Sequence, residues 1–219
     1  MSASTLTLET APLSAQLRER TRDVHQQAES VPFITDLMHG RLDRAAYADL
    51  AAQQYGMYVA LETASASVSG TSRGAGLVFD ELTRTPSIEA DLTYLYGPRW
   101  RETIDVLPAA QEYAERIAHV SGDLPRYAAH AYTRYLGDLS GGQAIKRLVQ
   151  RHYGLGEEGV AFYTFAGIAK PKVFKDEYRE RLDALDLDPL EVETAVAEAT
   201  LAFELSTALF AALGERHTP

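Results

Sequence analysis

His25 and Glu29 stand one helical turn apart in "RDVHQQAES", from Arg22 to Ser30, so an imidazole and a carboxylate can meet on one face. A metal-bound histidine commonly gives its second ring N–H to such a partner, which fixes the ring's orientation. The same spacing also describes an ordinary half-exposed helix pair, worth a few tenths of a kcal/mol. Both readings stand on this pair alone. No glutamate has a histidine three residues later, so the Glu-x-x-His set of a di-iron site is missing. A lone histidine points toward a metal that arrives inside its own ring, such as haem iron.

The second chemical stretch is "TRYLGDLSGGQ", from Thr133 to Gln143. It sits in a segment with helical spacing, yet each of Gly137, Gly141 and Gly142 costs about 1 kcal/mol relative to alanine in a helix interior. Gly137 and Gly141 share one face, with Thr133 and Ile145 in line. Adjacent glycines with Ser140 predict a kink here. The bare backbone can receive another helix or a flat ligand, and the spacing does not choose. Arg134 and Asp138 are four apart. They read as a solvated ion pair worth ~0–1 kcal/mol, or as an acid that holds an ordered water against a ligand.

"KPKVFKDEYRERL", from Lys170, is the densest basic run in an acidic chain. Lys175 and Arg179 share a helix face. They form either a surface neutralised by Asp176, Glu177 and Glu180 or a pair of cations for a ligand's carboxylates.

Helices must position these groups. Leu13, Leu17, Val24 and Ala28 form one stripe of a first helix, which "SVPF" ends. A short helix follows to Gly40. Asp43 is placed to cap a third, with Tyr47, Leu50, Gln54, Tyr58 and Leu61 along one face as far as Gly70. Further helices are predicted over 86–96, 108–121 and 125–152, then after Pro171 and from Pro189 to about Gly214. Each opens on a proline, whose missing N–H is harmless there. "VAFYTFAGI", from Val160, has no strand partner and reads as buried irregular or short helical structure. The chain is all-α, with about eight helices.

Composition narrows the chemistry. The 219 residues suit a single domain. There is no cysteine, which removes disulfides, thiolate metal sites and thiol nucleophiles. The net charge of −10 argues against nucleic acid as a partner. The N-terminus lacks a basic segment followed by an apolar core, and no membrane anchor is expected, so the reading is a soluble cytoplasmic protein.

"HQQAE", "YVALE", "YGPRW", "AHAYTRYLGDLSGGQ", "FKDEYR" and Ala202–Phe203 together resemble the haem oxygenase family, in its order and at similar spacing, from about Leu13 to Leu213. The resemblance implies a flexible N-terminus over 1–11 and one helical domain over 12–215. In that domain haem b is sandwiched between a proximal helix and a kinked distal one. It implies O2- and electron-dependent cleavage of haem to biliverdin, CO and Fe2+. Electrons would come from a ferredoxin or flavoprotein reductase, and a monomer is expected. His25 would be the iron ligand and Glu29 its orienting partner. Gly137 and Gly141 would bend over the ring, with Thr133 and Gly142 among the haem contacts. Asp138 would order a distal water, in a network with Tyr58 and Arg134. Arg18, Tyr132, Lys175 and Arg179 would meet the propionates, and Phe203 would line the pocket. Arg18 stands where the family usually has lysine, and Ser206 where it often has asparagine. A haem carrier using the same pocket, or a helical module whose glycines serve packing only, are the competing functions.

Overall fold

A computed structural model describes residues 11–217, which contain helices and no strand. The flexible segment expected over 1–11 therefore lies outside the described residues, apart from Ala11. Eleven α-helices run along the described chain: α1 (Leu13–Arg20), α2 (Arg22–Glu29), α3 (Pro32–Met38), α4 (Arg44–Ser69), α5 (Thr85–Tyr96), α6 (Trp100–Thr103), α7 (Pro108–His119), α8 (Leu124–Ala131), α9 (Gly137–Tyr153), α10 (Pro171–Asp183) and α11 (Pro189–His217). A π turn, Tyr132–Leu136, joins α8 to α9, and short 3-10 turns occupy Ala75–Leu77, Asp80–Leu82 and Ala161–Tyr163.

The local chemistry explains these boundaries. Prolines lie in the first turn of α3, α5, α7, α8, α10 and α11, where no intrahelical N–H bond is lost. Asp43 caps α4 by accepting from the Ala46 N–H at 2.9 Å. The predicted first helix is in fact two. The Thr21 hydroxyl donates to the Leu17 carbonyl at 2.7 Å, and α1 ends there. The one-turn helix Trp100–Thr103 begins on the last residue of "YGPRW" and was not predicted. Val160 to Ile168 is irregular around its 3-10 turn and buries Val160, Phe162, Tyr163, Phe165 and Ile168, as its composition suggested.

The kink of the long helix is not where the glycines alone would put it. The distortion is the π turn just upstream, and from Gly137 onward the chain is regular α-helix. Such bulges widen the turn and shift every following side chain around the axis.

The buried apolar residues form one core. Its spine is α11, packed against α2, α3, α7 and α8, and α4, packed against α5, α7 and α8. By length and mean hydropathy (1.5 over its most apolar window), α11 could cross a membrane. The sequence had been read as having no such segment. Here Ala195, Ala199, Ala202, Leu209 and Leu213 of α11 are buried in the core. One side of this core opens into a cleft.

Candidate active site

The cleft has two principal walls. One comes from α2 and α11 and carries His25, Ala28, Glu29, Phe203 and Ser206. The other comes from the π turn and α9 and carries Thr133, Arg134, Gly137, Asp138 and Ile145. Leu50 and Gln54 of α4, with Phe162 and Tyr163, close the back. The enclosed part holds about 210 Å³.

On the first wall, the His25 side chain is 51% exposed, so its imidazole is accessible to a ligand. Its Nε2 lies 3.2 Å from Glu29 Oε1, the i,i+4 contact read from the sequence. The Phe203 ring packs 5.0 Å from the imidazole, tilted by 43°, and limits how the ring can turn. Among the described residues no three histidine or carboxylate side chains converge on a metal. The donor set therefore suits a metal already held by a planar ring and taking one imidazole.

On the second wall, a Cβ built on Gly137 meets nothing within 4 Å, and one on Gly141 meets only Ile145 Cδ1 at 3.8 Å. Gly137 has φ −61° and ψ −51°, ordinary helical values that any residue adopts. Its glycine is needed for empty space, not for backbone freedom. Gly142 has a different setting. Its Cβ would press on Tyr163 Cδ1 at 3.1 Å, so it lets the 3-10 turn pack closely. Thr133 lines the cleft while its hydroxyl donates to the Ala129 carbonyl at 2.8 Å.

Asp138, Tyr58 and Arg134 form a directed chain. Arg134 Nε donates to the Tyr58 hydroxyl oxygen at 3.3 Å, and the Tyr58 O–H donates to Asp138 Oδ2. The Arg134 guanidinium also lies 5.2 Å from the Tyr58 ring centre. Burial pushes the Asp138 carboxyl up to about 6, against the opposing pull of Arg134, the Tyr58 hydrogen bond and Arg84. Burial likewise holds the Tyr58 phenol well above its ordinary value. Burial works against the charge of Arg134, but Tyr58 and Asp138 more than offset it and the guanidinium stays protonated. The cleft's polar corner is thus one carboxyl poised near neutrality beside two groups locked in one ionisation state.

The cations gather at the flank. Lys175 Nζ donates to Ser140 Oγ at 3.0 Å, which ties α10 to the glycine segment. Arg179 pairs with Asp176 at 2.8 Å. Tyr132 is raised by burial and lowered by the nearby charges of Arg179 and Arg18, which places all three together. Asp183 accepts from Ser14 N and Oγ at 2.7 and 2.8 Å and clamps α1 onto α10. Lys175 is lowered by burial and by Arg179, against the opposing pull of Asp176.

Sequence reasoning missed Tyr113. Its buried hydroxyl faces Ser206, and the charges of Arg134 and Asp138 act on it. Ser206, beside it in the cleft, bonds back to the Ala202 carbonyl at 2.9 Å. Phe162 and Tyr163 were also missed as walls, because only the folded chain brings them to α9.

The sequence profile of the heme oxygenase family matches residues 11–212. Heme oxygenase 1 of Homo sapiens is 41% identical over 207 residues, covering 93% of this chain and 72% of that protein. Heme oxygenase 1 of Synechocystis is 38% identical over 199 residues, covering 90% of this chain and 83% of the relative. The crystal structure of heme oxygenase-1 from Synechocystis in complex with heme superposes with a TM-score of 0.90 at 37% identity, over 94% of each chain. A structure of heme oxygenase from Leptospira interrogans gives 0.87 at 34% identity, covering 92% of this chain and all of that one.

Proposed function

The chain belongs to the haem oxygenase family, and from that premise we propose how its residues divide the work of opening a haem. It is an enzyme that takes haem, as both cofactor and substrate, with O2 and electrons to biliverdin, CO and Fe2+. The haem iron supplies the site where O2 binds and is activated.

His25 holds the iron through one imidazole nitrogen while Glu29 steadies the other. Phe203 fixes the ring's plane. At Gly137 and Gly141 the opposite wall carries no side chain, so there the backbone limits the space above the ring. The macrocycle is larger than the enclosed cleft. Its acidic edge extends to the flank, where Arg18, Tyr132, Lys175 and Arg179 receive the propionates.

Asp138 holds the proton. Tyr58 occupies Oδ2 as a donor, so Oδ1 remains for a water on the substrate side. A group titrating at about 6 both takes and releases a proton near neutral pH. A carboxyl acting through water delivers protons without an imidazole in the distal space. Among the described residues His25 is the only histidine lining the cleft, and a carrier would be served by a second imidazole to cap the iron. The observation that carries this reading is the empty space at Gly137 facing a wall that bears a single accessible imidazole.

A ferredoxin or flavoprotein reductase is the electron source that fits one-electron delivery to a partly exposed ring. Residues of one chain line the cleft and α11 contributes to the core; we take the enzyme as a single domain over 12–215, monomeric and cytoplasmic. The deciding assay supplies hemin, a reductase system and air, then separates the products. Biliverdin and CO are expected, and haem bound but unconsumed would refute the reading.

A further inference from the structure

A second buried guanidinium stands behind the cleft wall. Arg84, between the Asp80–Leu82 turn and α5, is 6% exposed; the carboxylates of Asp138 and Glu62 act on its charge, and its backbone N–H donates to Glu62 Oε1 at 2.5 Å. Its Nη1 donates to the carbonyls of Phe162 at 3.1 Å and Thr164 at 2.8 Å, and its Nε to Leu82 at 3.3 Å. Its guanidinium carbon lies 4.0 Å from the centre of the Phe165 ring.

The segment it grips is the back of the cleft. Asp91 takes the N–H groups of Ala161 and Phe162, each at 2.8 Å, while Arg84 takes the carbonyls of the same stretch. The Phe162 ring meets the Tyr58 ring edge-on at 5.1 Å, and Tyr58 is the phenol that donates to Asp138. Arg84 thus holds the wall that holds the donor. We propose that Arg84 is a positioning residue of this site: it fixes the Ala161–Phe165 wall behind Tyr58, and its charge supports the carboxylate of Asp138.

This inference rests on the reading of Asp138 as the proton-holding group. The groups that act on Asp138 are Tyr58 from α4, Arg134 from the π turn and Arg84. The Asp138 charge in turn reaches Tyr113 of α7, Tyr135 of the π turn and Tyr163 of the 3-10 turn. Of these only Arg134 and Arg84 are cations.

The test is a titration of the Asp138 side-chain carboxyl by carbon NMR in the full-length, haem-free protein. It needs no turnover, so its failure is separable from failure of the enzymatic reading. Arg84→Met should raise the Asp138 midpoint by about half a unit to one unit, as loss of a nearby cation does. Arg84→Lys should leave the midpoint in place while lowering the melting temperature, because a lysine keeps the charge and loses the fork. An unmoved midpoint in Arg84→Met overturns the proposal. Should that variant not fold, Arg84→Lys decides, and a raised midpoint there means geometry and not charge is at work, which overturns it equally.

Discussion

Replacing Gly137 with alanine separates what the fold wants from what the reaction wants. The residue has helical backbone angles, and its new methyl would meet no protein atom within 4 Å. In the haem-free protein the change removes only the entropic penalty of glycine, a gain of about 1 kcal/mol. For a chain of this size that raises the melting temperature by about 2–4 °C. With haem bound, the same methyl enters the space above the ring. Overfilling a packed site by such a group costs about 1–3 kcal/mol, hence about 5- to 150-fold in haem affinity or in the rate of biliverdin formation. Gly142→Ala is the internal control. Its methyl meets the Tyr163 ring at 3.1 Å, and that ring is confined by Phe162 at 4.9 Å and by Gln143, which donates to the Tyr163 carbonyl at 2.7 Å. No stability gain is expected there. Scanning calorimetry of the haem-free proteins, hemin titration and single-turnover absorbance together measure all of this. A Gly137→Ala protein that melts lower, or that binds and consumes haem as wild type does, would refute the argument from empty space.

Three further outcomes follow from the same geometry. His25→Ala should lose the imidazole-ligated spectrum of its hemin complex and regain it with added imidazole, and unchanged axial ligation would remove His25 from the iron. Asp138 is raised to about 6 by burial, so its contribution to stability is full below about pH 4 and lost as pH climbs past the folded value. Asp138→Asn should therefore gain about 1–3 kcal/mol on wild type between about pH 4 and about pH 8, read from urea unfolding at both, and a pH-independent difference contradicts the burial account. Replacing Lys175 and Arg179 together with glutamine should weaken haem binding by about tenfold, at ~0.5–1 kcal/mol per exposed contact, or mix the biliverdin isomers; one isomer at unchanged affinity would exclude them as propionate partners.

What could be read from the sequence was what lies within a turn or two along the chain. The His25–Glu29 contact, the Asp43 cap and the proline-led helix starts depend on residues three or four apart, and all are present. Periodicity also placed Tyr58 on the face of α4 that turns inward. The rest depended on partners far away in sequence. Gly142 has the same local sequence as Gly141, and only the arrival of Tyr163, about twenty residues later, gives the two different settings. Tyr113 and Arg84 carry no local signal. Each matters through burial against elements that the fold brings from elsewhere. Thr21 was legible in principle, since a threonine that bonds back to the preceding turn loosens a helix, but the apolar stripe runs straight through it.

The π turn links the helix distortion to the chemistry. In a regular helix, Arg134 and Asp138 would stack one above the other and pair directly. Such a pair would pull the carboxyl down into its usual acidic range, where it holds no proton at neutral pH. The wider turn over Tyr132–Leu136 takes the two residues out of line. Arg134 instead reaches the Tyr58 oxygen, and the phenol stands between cation and carboxylate. Asp138 keeps enough of its burial penalty to titrate at about 6, yet remains fixed in direction by a donor that stays protonated. The glycines that follow complete the arrangement, because a carboxyl poised in this way is useful only where the backbone next to it leaves room for a ligand and a water. Backbone distortion, a spaced cation and missing side chains are therefore one device within ten consecutive positions, Tyr132 to Gly141.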